Sequence, residues 1–375
     1  MAYNLHIYPS NFKNESRIEK LTKTLSTLNI FSNIEMIGRG EMKPSINTNG
    51  VSLHLLGGEN NPCGILKKIT GFINWYLCIA KHYWNTDISC VNAHSLSSLP
   101  ICFLLSQRHK CTLIYDAHEL ETETNGLSGV RQKISKVVER WFIPKIDHTF
   151  VVSESIKQHY LNSYGAMQID VVLNSPSPVV IDKHDIFRQT FNIKSHTKIF
   201  LYQGVISEGR GIELLLNTFS QSQNQKFAIV FMGYGQLVDK IKLASDQYDN
   251  IFYHDAVPPR TVLNYTSSAD IGFSLIEDTC LSYRYCMPNK LFEYGMVGLP
   301  SIVSNLPEMK KYVEGYNAGF TLLENTQVAL TDLLRSIDNS DLSVISKNAK
   351  EHALNNSWDV QAKTIKKTYA SLFNN

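Results

Sequence analysis

Four short segments of this 375-residue chain group glycines, cations, carboxylates and a histidine at spacings that can do chemistry. The first is Gly204-Val205-Ile206-Ser207-Glu208-Gly209-Arg210-Gly211, between an apolar strand-like run and a helix-like one. Glycines let backbone amides approach an anion, and a guanidinium at a helix start attracts phosphate. Arg210 stands where a magnesium-nucleotide loop has lysine, and Gly211 where it has Ser or Thr. The hydroxyl ligand for magnesium is therefore missing, which disfavours NTP hydrolysis. A plain strand-to-helix turn is the competing reading. Gly233-Tyr234-Gly235 follows the next strand but lacks the third glycine of a dinucleotide fingerprint, Val238 standing there. It requires only a tight turn with close backbone approach.

The third segment, Leu281 to Pro300, reads LSYRYCMPNKLFEYGMVGLP. Pro288 ends the preceding loop, and Asn289 suits the N-cap of a helix starting at Lys290. Free amides from Leu291 onward, with the lysine, suit a phosphate. Glu293 lies one turn further along and can accept both hydrogen bonds of a ribose diol. A surface Lys–Glu pair is the simpler alternative. The fourth segment, Tyr115-Asp116-Ala117-His118-Glu119, ends the strand Thr112–Tyr115, where an open α/β sheet puts its site residues. A lone histidine is more often structural, but three polar groups in four positions favour a working site.

Apolar runs must hold these segments in place. Strands are expected at Leu5–Tyr8, Ser52–Leu56, Ile88–Ala93, Thr112–Tyr115, Thr149–Val152 and Ile169–Leu173, alternating with helices at Ser16–Leu28, Gly64–Tyr83, Val130–Phe142 and Glu154–Tyr164. This is the rhythm of a parallel, doubly wound sheet. It breaks at Asn174-Ser175-Pro176-Ser177-Pro178, the expected domain boundary. It resumes with strands at Lys198–Tyr202, Phe227–Met232, Ile251–His254, Ile271–Leu275 and Ser301–Val303, and helices at Ile212–Ser220, Gln236–Tyr248, Arg260–Ser268 and Lys290–Val297. Two such α/β halves are expected to face each other across a cleft.

Composition narrows the function. With 43% hydrophobic and 19% charged residues the chain is a folded one. Its net charge of +2 argues against nucleic acid as a partner, since neutralising a phosphate backbone needs concentrated basic surface. Residues 1–178 hold 17 basic and 14 acidic side chains, a modest positive balance. The seven cysteines, Cys63, Cys78, Cys90, Cys102, Cys111, Cys280 and Cys286, form no CxxC pair. They indicate neither a zinc site nor a disulfide framework, and a reducing compartment fits. No secretory signal opens the sequence. The segment Gly64 to Trp84 has an uncharged core, Ile69 to Ala80, too short for a span of about 20 residues. It reads as a partly buried helix or as one lying on a membrane surface with Lys67, Lys68 and Lys81 at the headgroups.

Together the segments resemble the retaining nucleotide-sugar glycosyltransferases of glycosyltransferase family 4. The likeness runs through Asn14-Glu15-Ser16-Arg17-Ile18, YDAHEL at Tyr115–Leu120, Phe150-Val151-Val152-Ser153-Glu154-Ser155, YQGVISEGRGIE, FMGYGQL, Ser268-Ala269-Asp270-Ile271-Gly272 and PNKLFEYGMVGLPSIVS. The resemblance implies the GT-B fold, two Rossmann-like doubly wound domains. Residues 1–178 would be the acceptor side and 179–357 the nucleotide-sugar side, with a C-terminal helix near 358–373 packing back onto the first. It implies that Glu293 is the ribose-binding second glutamate of Glu-x7-Glu, that Arg210 contacts the diphosphate, and that His118 contacts the transferred sugar. Gly204, Gly209, Gly233, Asn289 and Leu291 would line the nucleotide.

Two positions depart from the family pattern: Tyr285 replaces the first motif glutamate and Val205 a common arginine, for which Lys290 would substitute. Arg17, Asp116 and Glu119 are weaker candidates for touching the acceptor, Asp116 alternatively bracing its loop. The chain contains no Asp-x-Asp, so a metal-independent reaction is expected, with no cofactor beyond the nucleoside diphosphate sugar and UDP favoured as its nucleotide. Backbone near Asp255 to Val257 would meet the base. The implied acceptor is a glycan or lipid-linked oligosaccharide of a bacterial surface polysaccharide, built in the cytoplasm or at the inner membrane face with peripheral membrane contact allowed. The alternatives are a non-catalytic glycosyltransferase-like binding or scaffold protein, and another GT-B enzyme such as a nucleotide-sugar epimerase or a phosphorylase.

Overall fold

The computed structural model of the chain describes residues 3–13, 15–41, 46–48, 50–58, 65–338 and 340–373. Asn14, Cys63 and Gly64, named above, lie outside them, and the side chain of Lys68 is not described. The chain divides into two compact units, residues 1–173 with 361–375, and residues 174–360.

Unit 1 is built on strands β1 (Tyr3–Ile7), β2 (Asn33–Gly40), β3 (Ile46–Thr48), β4 (Val51–Gly57), β5 (Ile88–Ala93), β6 (Thr112–Ala117), β7 (His148–Val151) and β8 (Ile169–Val171). They form one sheet in the order β3-β4-β2-β1-β5-β6-β7-β8, parallel throughout except for β3 against β4. The central strands are buried along nearly their whole length, as a sheet covered on both faces requires. Helix Ser16–Ser26 carries the chain from β1 to β2. Helices Ile65–Tyr83, Leu99–His109 and Gly129–Phe142 carry it from β4 through β5 and β6 to β7, always stepping the same way along the sheet. Right-handed crossovers therefore put these three helices on one face. Their contacts agree: Phe103 and Trp141 rings lie 5.3 Å apart, and the Arg108 guanidinium sits 5.4 Å from the Trp84 ring. The direction of growth reverses between β1 and β5, and such a switch point leaves the strands' carboxyl ends open.

Unit 2 is a second sheet of β9 (Ile199–Val205), β10 (Ala228–Tyr234), β11 (Ile251–Asp255), β12 (Ile271–Ser274), β13 (Ser301–Ser304) and β14 (Gly319–Leu322). The order is β11-β10-β9-β12-β13-β14, with every pair parallel. Its switch point lies between β9 and β12. Phe200 stacks on Phe273 at 5.4 Å across that boundary and meets Phe219 at 5.5 Å, so an aromatic cluster fills the core there. Gly272 is there for space: a Cβ on it would come 2.5 Å from the Tyr294 ring. Asp270 ties down the incoming chain, accepting bonds from Lys183, Arg188 and the Ile199 amide.

One local expectation needs correcting. The second helix after β12 spans Asn289–Met296, and Pro288 in extended conformation (φ −67°, ψ 133°) occupies the N-cap. Asn289 is thus the first helical residue, since the chain enters the helix from the extended ψ of Pro288. It is not the cap.

Candidate functional site

In unit 2 the site is built from the carboxyl end of β9. Gly204, Gly209 and Gly211 all have positive φ (112°, 73° and 71°), a conformation that favours glycine, so the loop can turn sharply into helix Ile212–Phe219. The Gly209 carbonyl accepts the Glu277 amide at 3.0 Å, fastening this loop to the one after β12. Gly233 supports it from the neighbouring strand: a Cβ there would lie 1.9 Å from the Gly204 carbonyl oxygen.

Two cations meet here. The Arg210 guanidinium stacks 5.1 Å from the Tyr283 ring, and its Nε is buried without a hydrogen-bond partner. Lys290 Nζ rests 3.7 Å above the Tyr202 ring and close to Gly204. Desolvation, then the charge of Arg210, hold the Lys290 pKa well below the usual lysine value, against the pull of Glu293. Neither cation has an ion-pair partner among the described residues. Cations that share a desolvated spot with no carboxylate in contact are costly unless a ligand supplies an anion.

One turn beyond Lys290, Glu293 accepts a hydrogen bond from Gln203 Nε2, and Gln203 Oε1 is held by the Thr266 hydroxyl at 2.8 Å. The adjacent Tyr294 hydroxyl donates to the Phe273 carbonyl at 3.0 Å and accepts the Gln203 amide at 3.2 Å, locking the helix over the switch point. The Leu291 amide closes on the Pro288 carbonyl at 3.1 Å, so the amides left open at this helix start are those ahead of it. Asn289 itself is exposed. The structure thus gathers Gly204, Gly209, Arg210, Gly233, Lys290 and Glu293 at one end of the sheet. Gln203, Tyr202, Tyr283 and Thr266, which aim them, escaped the sequence reading. The signal for Gln203 was a lone polar residue inside an apolar strand.

In unit 1, four polar residues from three strand ends form a buried chain. Asp116, 1% exposed, takes a bidentate pair from Arg17 at 2.6 to 3.1 Å, a bond from His94 Nδ1 at 3.0 Å and one from His118 Nε2 at 3.2 Å. An ionised carboxylate only accepts, so His94 donates through Nδ1. Its Nε2 then accepts from His6 Nδ1 at 2.9 Å. Desolvation lowers the pKa of both His6 and His94, keeping them neutral. Desolvation alone would raise the Asp116 pKa, but Arg17 and the His118 and His94 bonds outweigh it and hold the carboxyl well below its usual range. His118 is half-buried and spends Nε2 on Asp116, so Nδ1 is the ring nitrogen not engaged by that carboxylate.

Arg17 and Asp116 are weak candidates for the acceptor, with bracing of the loop as the alternative for Asp116; the geometry commits them to each other, which is the bracing arrangement. Arg17 is 4% exposed, and its remaining nitrogen donates to the Val172 carbonyl at 2.6 Å. Glu119 is exposed. Glu121, unnoticed in the sequence, accepts the Leu96 amide at 2.7 Å, and desolvation pushes its pKa up to about 8. His94, Asp116 and His118 offer ligand atoms within 4.8 Å of one another, but a metal ion would compete with a guanidinium 2.6 Å from the same carboxylate. These residues do not fit a cation.

Comparisons with known proteins agree with this architecture. Residues 183–352 match the model for glycosyl transferases group 1. The fold is similar over the whole chain to sucrose-phosphate synthase from Thermosynechococcus elongatus (15% identity, TM-score 0.84, 100% of both chains). It is also similar to Anabaena HepE in complex with UDP-glucose (11%, TM-score 0.75, 99% and 100%). WaaG, a glycosyltransferase involved in lipopolysaccharide biosynthesis, has a like fold (13%, TM-score 0.70, 97% and 99%). No curated protein matches the chain. The fold is GT-B.

Proposed function

We propose that this chain, a glycosyltransferase by its group 1 domain and GT-B fold, moves a sugar from a nucleoside diphosphate sugar to a glycan acceptor with retention of configuration. The carrying observation is in unit 2: Arg210 and Lys290, two cations without carboxylate partners, lie beside a glycine loop, with Glu293 aimed by Gln203 one turn on. In the proposed complex the diphosphate takes the two cations and the open amides at the start of helix Asn289–Met296, and Glu293 takes the ribose diol. As the bond from anomeric carbon to diphosphate breaks, negative charge grows on the departing oxygen, and fixed cations stabilise it. That oxygen accepts the acceptor's proton while the acceptor oxygen bonds to the anomeric carbon on the same face. Removing one such donor typically costs about 2.7–4 kcal/mol, roughly 100–1000-fold in rate.

His118, through Nδ1, is the group of unit 1 assigned to the transferred sugar, and the Arg17–Asp116 pair positions it. The missing Asp-x-Asp supports transfer without a metal, and the solved complex of HepE with UDP-glucose supports a uridine nucleotide. A lipid-linked bacterial surface glycan as acceptor is supported by the likeness to WaaG and by the positive balance of residues 1–178. Among the described residues no helix is long and apolar enough to cross a membrane.

A thermal-shift screen of the purified chain against nucleoside diphosphates, with and without EDTA, tests the reading. A ligand at 100 times its dissociation constant adds about 2.7 kcal/mol. Stabilisation by one diphosphate that survives EDTA and is lost in Glu293→Ala and Lys290→Ala is the expected result. No response to any nucleotide overturns it. Tyr285, in place of a family glutamate, favours a second reading, a binding protein without turnover; diphosphate binding with no diphosphate released from any nucleotide sugar and acceptor would select it.

A further inference from the structure

Helix Gly129–Phe142 carries apolar residues on the side that its own unit does not cover. Val130, Ile134, Val137 and Trp141 are between 52% and 72% exposed. At about 100° per residue they fall within roughly 60° of arc. Glu139 and Phe142, which bury the helix against its unit, lie on the other side. The row is flanked by exposed Arg131, Lys133, Lys136 and Arg140. Lys136 pairs with Glu123 at 2.6 Å; the other three have no carboxylate partner among the described residues. Trp141 holds the Lys145 ammonium 3.4 Å from its ring.

The pattern repeats across the same face of the sheet. In helix Ile65–Tyr83, Trp75, Ile79 and Tyr83 bury one side while Ile69, Ile73 and Leu77 are more than half exposed on another. Helix Leu99–His109, between them, exposes Leu104 and Arg108. The three helices hold eight lysines and arginines, and their only carboxylate is the buried Glu139. A chain with a net charge of +2 has therefore concentrated cations around these exposed apolar rows. A face that is apolar and cationic together matches one surface: acyl chains beneath anionic headgroups. A protein partner would need carboxylates set between apolar side chains, and a second copy of this cationic face would repel the first.

We propose that helices Gly129–Phe142 and Ile65–Tyr83 dock unit 1 on an anionic bilayer, with Ile134, Val137 and Trp141 entering the headgroup boundary. The proposal deepens the lipid-linked acceptor reading, but its test needs no turnover. The full chain is floated with vesicles of phosphatidylglycerol and phosphatidylcholine in equal parts, and with phosphatidylcholine alone. Binding to the first and not the second is expected. Each cation near such a surface contributes on the order of five-fold, so Lys133→Gln/Arg140→Gln should weaken binding on the order of twenty-five-fold. Ile134→Ser/Val137→Ser should weaken it at low salt as well. Both doubles alter exposed positions, and their stabilisation by UDP should match the unaltered chain, which separates loss of docking from failure of the donor site. Equal binding by the variants, no binding to anionic vesicles, or a dimer in sedimentation velocity that Ile134→Ser/Val137→Ser dissolves would overturn the proposal.

Discussion

Asp116→Asn is the most demanding test of the unit 1 cluster. The substitution keeps the shape and removes the charge, leaving the Arg17 guanidinium, 4% exposed, with only the Val172 carbonyl as a strong partner. It also turns an amide N–H toward donors on His94 and His118. Breaking one side of a buried pair costs about 3–5 kcal/mol, against a typical domain stability of about 5–15 kcal/mol. Trp75, Trp84 and Trp141, three of the four tryptophans, lie in unit 1, so urea unfolding followed by tryptophan fluorescence is weighted toward that unit, and Trp358→Phe as background removes the signal of the other. Two units need not unfold together, and the unit 1 transition is the one to fit. Arg17→Met should cost a similar amount, and Arg17→Met with Asp116→Leu should cost clearly less than the two single changes added, since no buried charge is stranded. The folded carboxyl is held below its unfolded value, so its contribution is full above the usual carboxylate pKa and disappears as pH falls through the folded one. The Asn variant should therefore differ most from the parent at neutral pH and converge on it in acid. A loss under about 1 kcal/mol, or strict additivity, would refute the claim that this pair holds the site.

Other outcomes follow from single contacts. Gly233→Ala forces a Cβ against the Gly204 carbonyl at 1.9 Å, so β9 and β10 must separate; a sharply lower melting temperature of unit 2 is expected, and an unchanged one would contradict the packing. Tyr294→Phe removes the hydroxyl shared by the Gln203 amide and the Phe273 carbonyl, at a cost of about 1–3 kcal/mol measured by urea unfolding, with nucleotide affinity falling as Gln203 loosens. His352 stacks 3.6 Å from the Tyr316 ring, and desolvation lowers its pKa to about 4. The unfolded histidine takes up a proton near 6.5, so the stability of unit 2 should decline as pH falls from there toward 4. An NMR titration midpoint for His352 near 6.5 would show that the ring is solvated.

The sequence made some of this legible and hid the rest for identifiable reasons. Strands such as β5 announce themselves because both faces are buried and the run is continuously apolar. β2 is equally central but does not, because its Glu35 and Arg39 read as surface while folding partly buries the first and fully buries the second: Tyr83 donates to Glu35 at 2.6 Å, and Arg39 lies 4.7 Å from the Phe72 ring with its Nε buried and unbonded. Helix Leu99–His109 lacks a polar face for much of its length, so helical periodicity cannot reveal it. The donor residues were visible because Lys290 and Glu293 share one helix and Arg210 sits in one glycine loop; their supports Gln203, Tyr202 and Thr266 come from elsewhere in the chain and meet them only through β9. His6 and His94 are 88 residues apart and become neighbours only because β1 pairs with β5. A rule was available even so: each closes or follows a strand at the carboxyl side of the switch point, where polar residues are costly to bury unless they act together. Applied to every strand end, that rule would have set His6 and His94 beside Asp116 and His118. It would also have shown Arg17 to be a buried counter-charge, because a carboxylate receiving two histidine bonds in a dry sheet end needs a cation behind it to stay ionised.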